Sequence, residues 1–147
     1  ECKIRYEKVM ENGMQKKVTE PYLVDALSFT EAEARIIEEM TPFITGEFTV
    51  SDIKRANYSE LFPSDEESAD RWFKCKLVFI TLDEKSGAEK KTSTQVLVQA
   101  ADLRDAVKKL DEGMKGTMAD YQIASVAETA IMDVYPYSAE PDDKPEV

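Results

Sequence analysis

The chain has 147 residues, 33% of them charged, and carries a formal net charge of −11. An acidic chain is poorly suited to general nucleic-acid binding, which depends on neutralising phosphates, and no run approaches the roughly 18 apolar residues of a membrane-spanning helix. It has no histidine, which removes the commonest general base and metal ligand and excludes Ser-His-Asp and Cys-His constellations within one chain.

The first predicted element is a strand from Cys2 to Met10, because Cys2, Ile4 and Tyr6 alternate with Lys3, Arg5 and Glu7. Glu11-Asn12-Gly13 follows, and Asn-Gly is a strong hairpin signal because both residues tolerate positive φ. A second strand runs from Lys17 to Asp25, with Tyr22 and Val24 on one face. A helix opens at Ser28 with Glu31 three residues on, the pattern of a capping box. Phe29, Ala32, Ile36 and Met40 share one helical face, and Pro42 stops the helix. In the last element, Phe48 to Phe62, the spacing of Phe48, Val50 and Ile53 breaks the two-residue period. That reads as a long strand with a bulge, with a helix over residues 51–61 as the alternative.

After Pro63 the order recurs. Cys75-Lys76-Leu77 matches Cys2-Lys3-Ile4 at an offset of 73, and Gly87, Lys90-Lys91, Leu97-Val98 and Ala106 match Gly13, Lys16-Lys17, Leu23-Val24 and Ala32 at 74. The second helix opens at Asp102, with Asp105 as a shorter reciprocal acceptor, and repeats the apolar face as Leu103, Ala106, Leu110 and Met114. Tyr121 to Tyr135 then matches Phe48 to Phe62. The expectation is an α+β fold made by internal duplication of a β-β-α-β unit, with two helices packed on an antiparallel sheet formed by both copies about a pseudo-two-fold axis. Units of this size bury little surface alone, so a joint core is expected. The domain reading is a first repeat at 1–63, an acidic linker at 64–71, a second repeat at 72–137 and a disordered acidic tail at 138–147.

Little in this pattern carries chemistry. Cys2 and Cys75 occupy equivalent apolar-parity positions and read as small buried residues; a disulfide between them and a reactive thiol are the alternatives. Lys16, Lys17, Lys90 and Lys91 form matched pairs at the start of each second strand. They are the candidate anion or nucleic-acid contacts, although solvated charge that discourages edge pairing is the simpler reading. Gly113-Met114-Lys115-Gly116 fits the GxxG pattern of an RNA-binding loop but sits where a helix stop is needed. The sequon at Asn57-Tyr58-Ser59 reads as chance. Val78, Ile80 and Leu82 make the second face of their strand apolar, where the first copy has Arg5 and Glu7. They are the candidate interface, and burial inside the chain is the expectation for them.

Over residues up to Tyr137 the chain resembles a family of Bacteroidetes proteins of unknown function with distant phage relatives. The resemblance is carried by Glu11-Asn12-Gly13-Met14, Lys16-Lys17-Val18-Thr19-Glu20-Pro21-Tyr22, Ser51-Asp52-Ile53-Lys54-Arg55-Ala56 and Leu103-Arg104-Asp105-Ala106. It implies an origin and an intracellular setting, and no mechanism. The resulting expectation is a cytoplasmic, non-catalytic protein-interaction or assembly module. It has no catalytic, cofactor-binding or metal-binding residues, no cofactor and no membrane association; its partner is another protein or a second copy. The second reading is a nucleic-acid-associated accessory protein of phage or mobile-element origin. Because the second copy enters through Trp72-Phe73 and the first has only Glu1 before Cys2, a short aromatic lead-in before Glu1 is expected.

Overall fold

A computed structural model describes residues 1–117 and 120–136. In chain order the elements are β1 (Cys2–Val9), β2 (Gln15–Val24), α1 (Phe29–Met40), β3 (Phe48–Ile53), β4 (Glu60–Phe62), β5 (Arg71–Leu82), β6 (Glu89–Ala100), α2 (Leu103–Gly113), β7 (Asp120–Glu128) and β8 (Val134–Tyr135). The fold is α+β, with eight strands in two sheets and two helices. The expected single antiparallel sheet is therefore corrected to two four-stranded sheets, ordered β3-β1-β2-β8 and β4-β6-β5-β7. Neither is purely antiparallel: β8 runs parallel to β2, and β4 runs parallel to β6.

The chain divides into two compact units, Glu1–Ala56 with residues 131–136, and Asn57–Ala130. These units do not follow the sequence boundaries at 63 and 72. The strand that ends the first β-β-α-β stretch, β4, belongs to the second unit's sheet, and β8, at the end of the second stretch, belongs to the first unit's sheet. The acidic segment 64–71 makes contacts within the second unit. Ala69 is buried, Ser64 N–H donates to Gln99 Oε1 at 2.9 Å, and Lys109 Nζ lies 2.9 Å from Glu66 and 3.1 Å from Asp105. The proposed tail at 138–147 falls outside the described residues.

Local chemistry explains the elements. The β1–β2 hairpin pairs Cys2 with Tyr22 and Val9 with Gln15, and Gly13 takes φ +83° in its turn. Ser28 and Asp102 are both helix N-caps, their side chains accepting from the N–H groups of Glu31 and Asp105 at 3.1 and 2.8 Å. The reciprocal carboxylates reach one residue further back than in a standard capping box: Glu31 accepts from Leu27 N–H at 2.8 Å and Asp105 from Ala101 N–H at 2.9 Å. Asp105 is thus as good an acceptor as Glu31, despite its shorter side chain. Its carboxyl is held below the usual range, first by the Ala101 N–H and then by Lys109.

The expected bulge is present at matched places. Lys3 pairs with Asp52 and Ile4 with Val50, leaving Ser51 unpaired; Lys76 pairs with Ser125 and Leu77 with Ile123, leaving Ala124 unpaired. The long final strand is corrected, however: β3 ends at Ile53 and β7 at Glu128, and the short β4 and β8 follow after a break. The helical alternative over 51–61 does not form.

Each helix covers one face of its sheet. Under α1, Ala32, Ile36 and Met40 pack with Cys2 and Ile4. In the second unit Leu110 packs with Cys75, Leu77, Val96 and Val98, and Ala106 with Phe73 and Ala100. Burying an Ile or Leu side chain fully contributes about 2–3 kcal/mol, so these few residues dominate each unit's stability. Phe29 and Leu103 depart from the predicted stripe and are exposed. Leu97 and Trp72 lie on the opposite face of the second sheet from Val96 and Phe73, and both are also buried.

Candidate functional site

Two features on the helix-bearing sheet faces stand out. The first is a tyrosine–glutamate cluster in the first unit. Glu20 pairs across β1–β2 with Ile4, and strand alternation puts its carboxylate on the same face as Ile4, Tyr6 and Tyr22. The Tyr6 hydroxyl donates to Glu20 Oε1 at 2.9 Å, the Tyr22 hydroxyl donates to the same oxygen at 3.3 Å, and Lys8 Nζ lies 3.8 Å from Oε2. Tyr135, delivered by β8, stacks on Tyr22 with ring centroids 6.2 Å apart and planes 21° apart.

All three phenols are held protonated. Burial, then the hydrogen bond and charge of Glu20, push Tyr6 above its ordinary value. Tyr22 is pushed higher, again by burial first and then by Glu20. Tyr135 is pushed up to about 12 by burial, with the charges of Asp133 and Glu39 adding to it. Tyr6 and Tyr22 both spend their protons on Glu20, which is how a carboxylate on a core-bearing face is satisfied. Such a cluster fastens β1, β2 and β8 together.

The second feature is an open cleft of about 380 Å³ in the second unit, floored by Leu77, Phe79, Val96 and Phe62 and rimmed by Ser59 and Thr94. It occupies the register positions of the tyrosine cluster. Val96 lies opposite Cys75 as Tyr22 lies opposite Cys2, and Thr94 lies opposite Leu77 as Glu20 lies opposite Ile4. One glycine shapes it: a Cβ on Gly113 would stand 2.9 Å from Phe62 Cε1, so the bare backbone of α2 lets the Phe62 ring lie against it. Thr94 Oγ1 donates to Ser59 Oγ at 2.8 Å, and Ser59 Oγ donates to Gln95 O at 3.2 Å, which leaves acceptor capacity on the rim.

The residues singled out from sequence lie elsewhere. Lys16, Lys17, Lys90 and Lys91 are exposed near the hairpin ends. Neighbouring strand residues point to opposite faces, so each pair is split: Lys16 sits opposite Lys8, Lys17 opposite Glu7, Lys90 opposite Thr81 and Lys91 opposite Ile80. No pair converges on one point. Val78 and Ile80 are half-buried, and Leu82 is 69% exposed, which corrects the expectation of burial for that residue. The reason is reach: β7 pairs with β5 only as far as Ile80, and the hairpin projects beyond it. Cys2 and Cys75 are buried free thiols, so the disulfide alternative is set aside. Burial pushes Cys75 up to about 11 and is the main cause raising Cys2, leaving both poor nucleophiles. Gly113 to Gly116 ends α2, and β7 follows, not a second helix.

The tyrosine cluster had one signal in the sequence: Glu20 falls on the apolar parity of Tyr22 and Val24. The cleft's signals were the changes from Tyr22 to Val96 and from Glu39 to Gly113 between matched positions. Among the described residues no group of three or more Cys, Asp or Glu is placed to hold a metal ion, and no helix is long and apolar enough to cross a membrane.

No curated protein matches the chain, and no solved structure matches it. Residues 1–137 match the family described as Domain of unknown function (DUF4494). That match spans nearly the whole chain, both sheets and both helices included, and the protein belongs to the DUF4494 family.

Proposed function

We propose that the chain is a non-catalytic protein-interaction or assembly module, built by internal duplication of a β-β-α-β unit about a pseudo-two-fold axis. The duplication is supported by agreement at several levels: the same element order, N-caps at Ser28 and Asp102, and bulges at Ser51 and Ala124. The interaction role rests on one observation. Val9, Met10 and Met14 crowd one hairpin end and are 64%, 40% and 66% exposed. Single exposed apolar residues are ordinary, but three large ones close in the chain around one hairpin end suit a surface that another protein covers. A cytoplasmic setting and a Bacteroidetes origin with phage relatives accompany this reading on the strength of the resemblance alone.

The test compares the full chain with Met14→Asp in solution mass across concentration and in co-purification from the native cell. Loss of self-association or of a stoichiometric protein partner, at an unchanged melting temperature, is expected. Identical behaviour of the two proteins in both assays overturns the reading.

A nucleic-acid-associated accessory role is the second reading. It is favoured by the exposure of Lys16, Lys17, Lys90 and Lys91, none of which has an ion-pair partner among the described residues. The net charge of −11 and the splitting of each lysine pair across two faces weigh against it. Binding to duplex DNA with a steep salt dependence that disappears when all four lysines become glutamine would promote it over the first.

A further inference from the structure

The cleft of the second unit and the tyrosine cluster of the first are two fillings of one scaffold position. In the first unit the chain supplies its own aromatic ring: Tyr22 fills the space above the sheet, Tyr135 stacks on it, and Glu20 accepts a hydrogen bond from its hydroxyl. In the second unit Tyr22 is replaced by Val96, and Phe62, the residue in the place of Tyr135, lies against Gly113. Removing the larger side chain while its neighbour leans aside leaves the cleft of about 380 Å³, within the size range of sites that take small ligands. At the position of the acceptor Glu20 stands Thr94, whose Oγ1 already donates to Ser59 and so meets an incoming group as an acceptor. Glu60 on the same rim is a second acceptor.

The backbone beside the cleft is also open. Gln95 O accepts from Ser59 N–H at 2.8 Å, so it points away from β5, and by strand alternation Ser93, Lys91 and Glu89 present their backbone groups to the same side. β4 covers that edge only along Val96–Val98, with Ser59 reaching back to Gln95. From Glu89 to Thr94 no strand among the described residues pairs with it. An extended peptide laid there would end next to the mouth of the cleft, in the strand-addition mode in which backbone bonds hold and a side-chain pocket selects.

We propose that this cleft receives a tyrosine side chain presented by an extended segment of a partner protein that adds to the open edge of β6, its ring on Leu77 and Val96 and its hydroxyl donating to Thr94 or Glu60. The proposal rests on the interaction-module reading and gives that module a ligand chemistry.

The test uses the full chain, with p-cresol, toluene and a capped pentapeptide, Thr-Val-Tyr-Val-Thr, as probes. The readout is the NMR shifts of the Leu77, Val96 and Met114 methyl groups. Saturable shifts are expected, with p-cresol tighter than toluene and the pentapeptide at least tenfold tighter than p-cresol. Val96→Tyr, which restores the ring that the first unit carries, should abolish them. Gly113→Ala, which drives Phe62 off α2 and into the cleft, should weaken them and keeps the test decisive if Val96→Tyr does not fold. No shift with any probe, shifts that survive both substitutions, or toluene equal to p-cresol overturns the proposal. A pentapeptide no tighter than p-cresol overturns its peptide part and leaves a small phenol as the occupant. The Met14→Asp comparison is independent of the cleft, so failure here leaves the interaction module standing.

Discussion

Tyr135 lies near the end of the second β-β-α-β stretch but belongs to the first unit's sheet, which makes Tyr135→Ala an informative perturbation. The ring is half-buried and stacks on Tyr22. An aromatic side chain buries roughly 150–250 Å² when fully covered, so about half of that at ~25 cal/mol per Å² gives about 2–3 kcal/mol. Loss of an aromatic pair adds about 0.5–1.5 kcal/mol. The expected cost is about 3 kcal/mol, or roughly a hundredfold increase in the opening constant. Residue-resolved hydrogen exchange should place that increase in β1, β2 and α1, since the end of β2 and the residue after it are bonded to this segment by Leu23 N–H to Asp133 O at 3.0 Å and Asp25 N–H to Tyr135 O at 3.1 Å. Phe62→Ala is the reciprocal perturbation and should open β5, β6 and α2. If Tyr135→Ala instead releases β5 to β7 and leaves β1 and β2 protected, the exchange of terminal strands is wrong.

Two further predictions address local structure. Ser28→Ala and Asp102→Ala should each destabilise by about 1 kcal/mol, measured by urea unfolding, because each removes the side-chain acceptor of one first-turn N–H; no change in either would mean the caps are satisfied by water. At alkaline pH the raised phenols of Tyr6, Tyr22 and Tyr135 favour the folded, protonated form, so their contribution is intact below the ordinary value of 10.0 and is lost as pH rises from there through the folded values, about 12 for Tyr135. Unfolding midpoints should therefore fall above pH 10, and Tyr22→Phe should flatten the fall; a variant with the same alkaline slope would refute the cluster's role.

The sequence alone determined the local elements. Alternation of Cys2, Ile4 and Tyr6 with charged residues marked β1, Asn12-Gly13 marked the hairpin, Ser28 and Asp102 marked both helix starts, and the broken parity after Val50 marked the bulge. These signals are legible because each depends on contacts between residues close in the chain or on the period of one element. Tertiary structure alone decided where β4 and β8 pair. Each is a strand of two or three residues, too short to carry a periodicity, and its partner is chosen by which sheet offers an open parallel edge beside β6 or β2. Long-range choice also made the two sites. Glu20 is only an odd acid on an apolar parity until Tyr6 and Tyr22 are folded against it, and Gly113 is only a helix stop until Phe62 arrives from the far side of the acidic segment. Burial and hydrogen-bond satisfaction are properties of the assembled sheet, and the order of residues along the chain does not contain them.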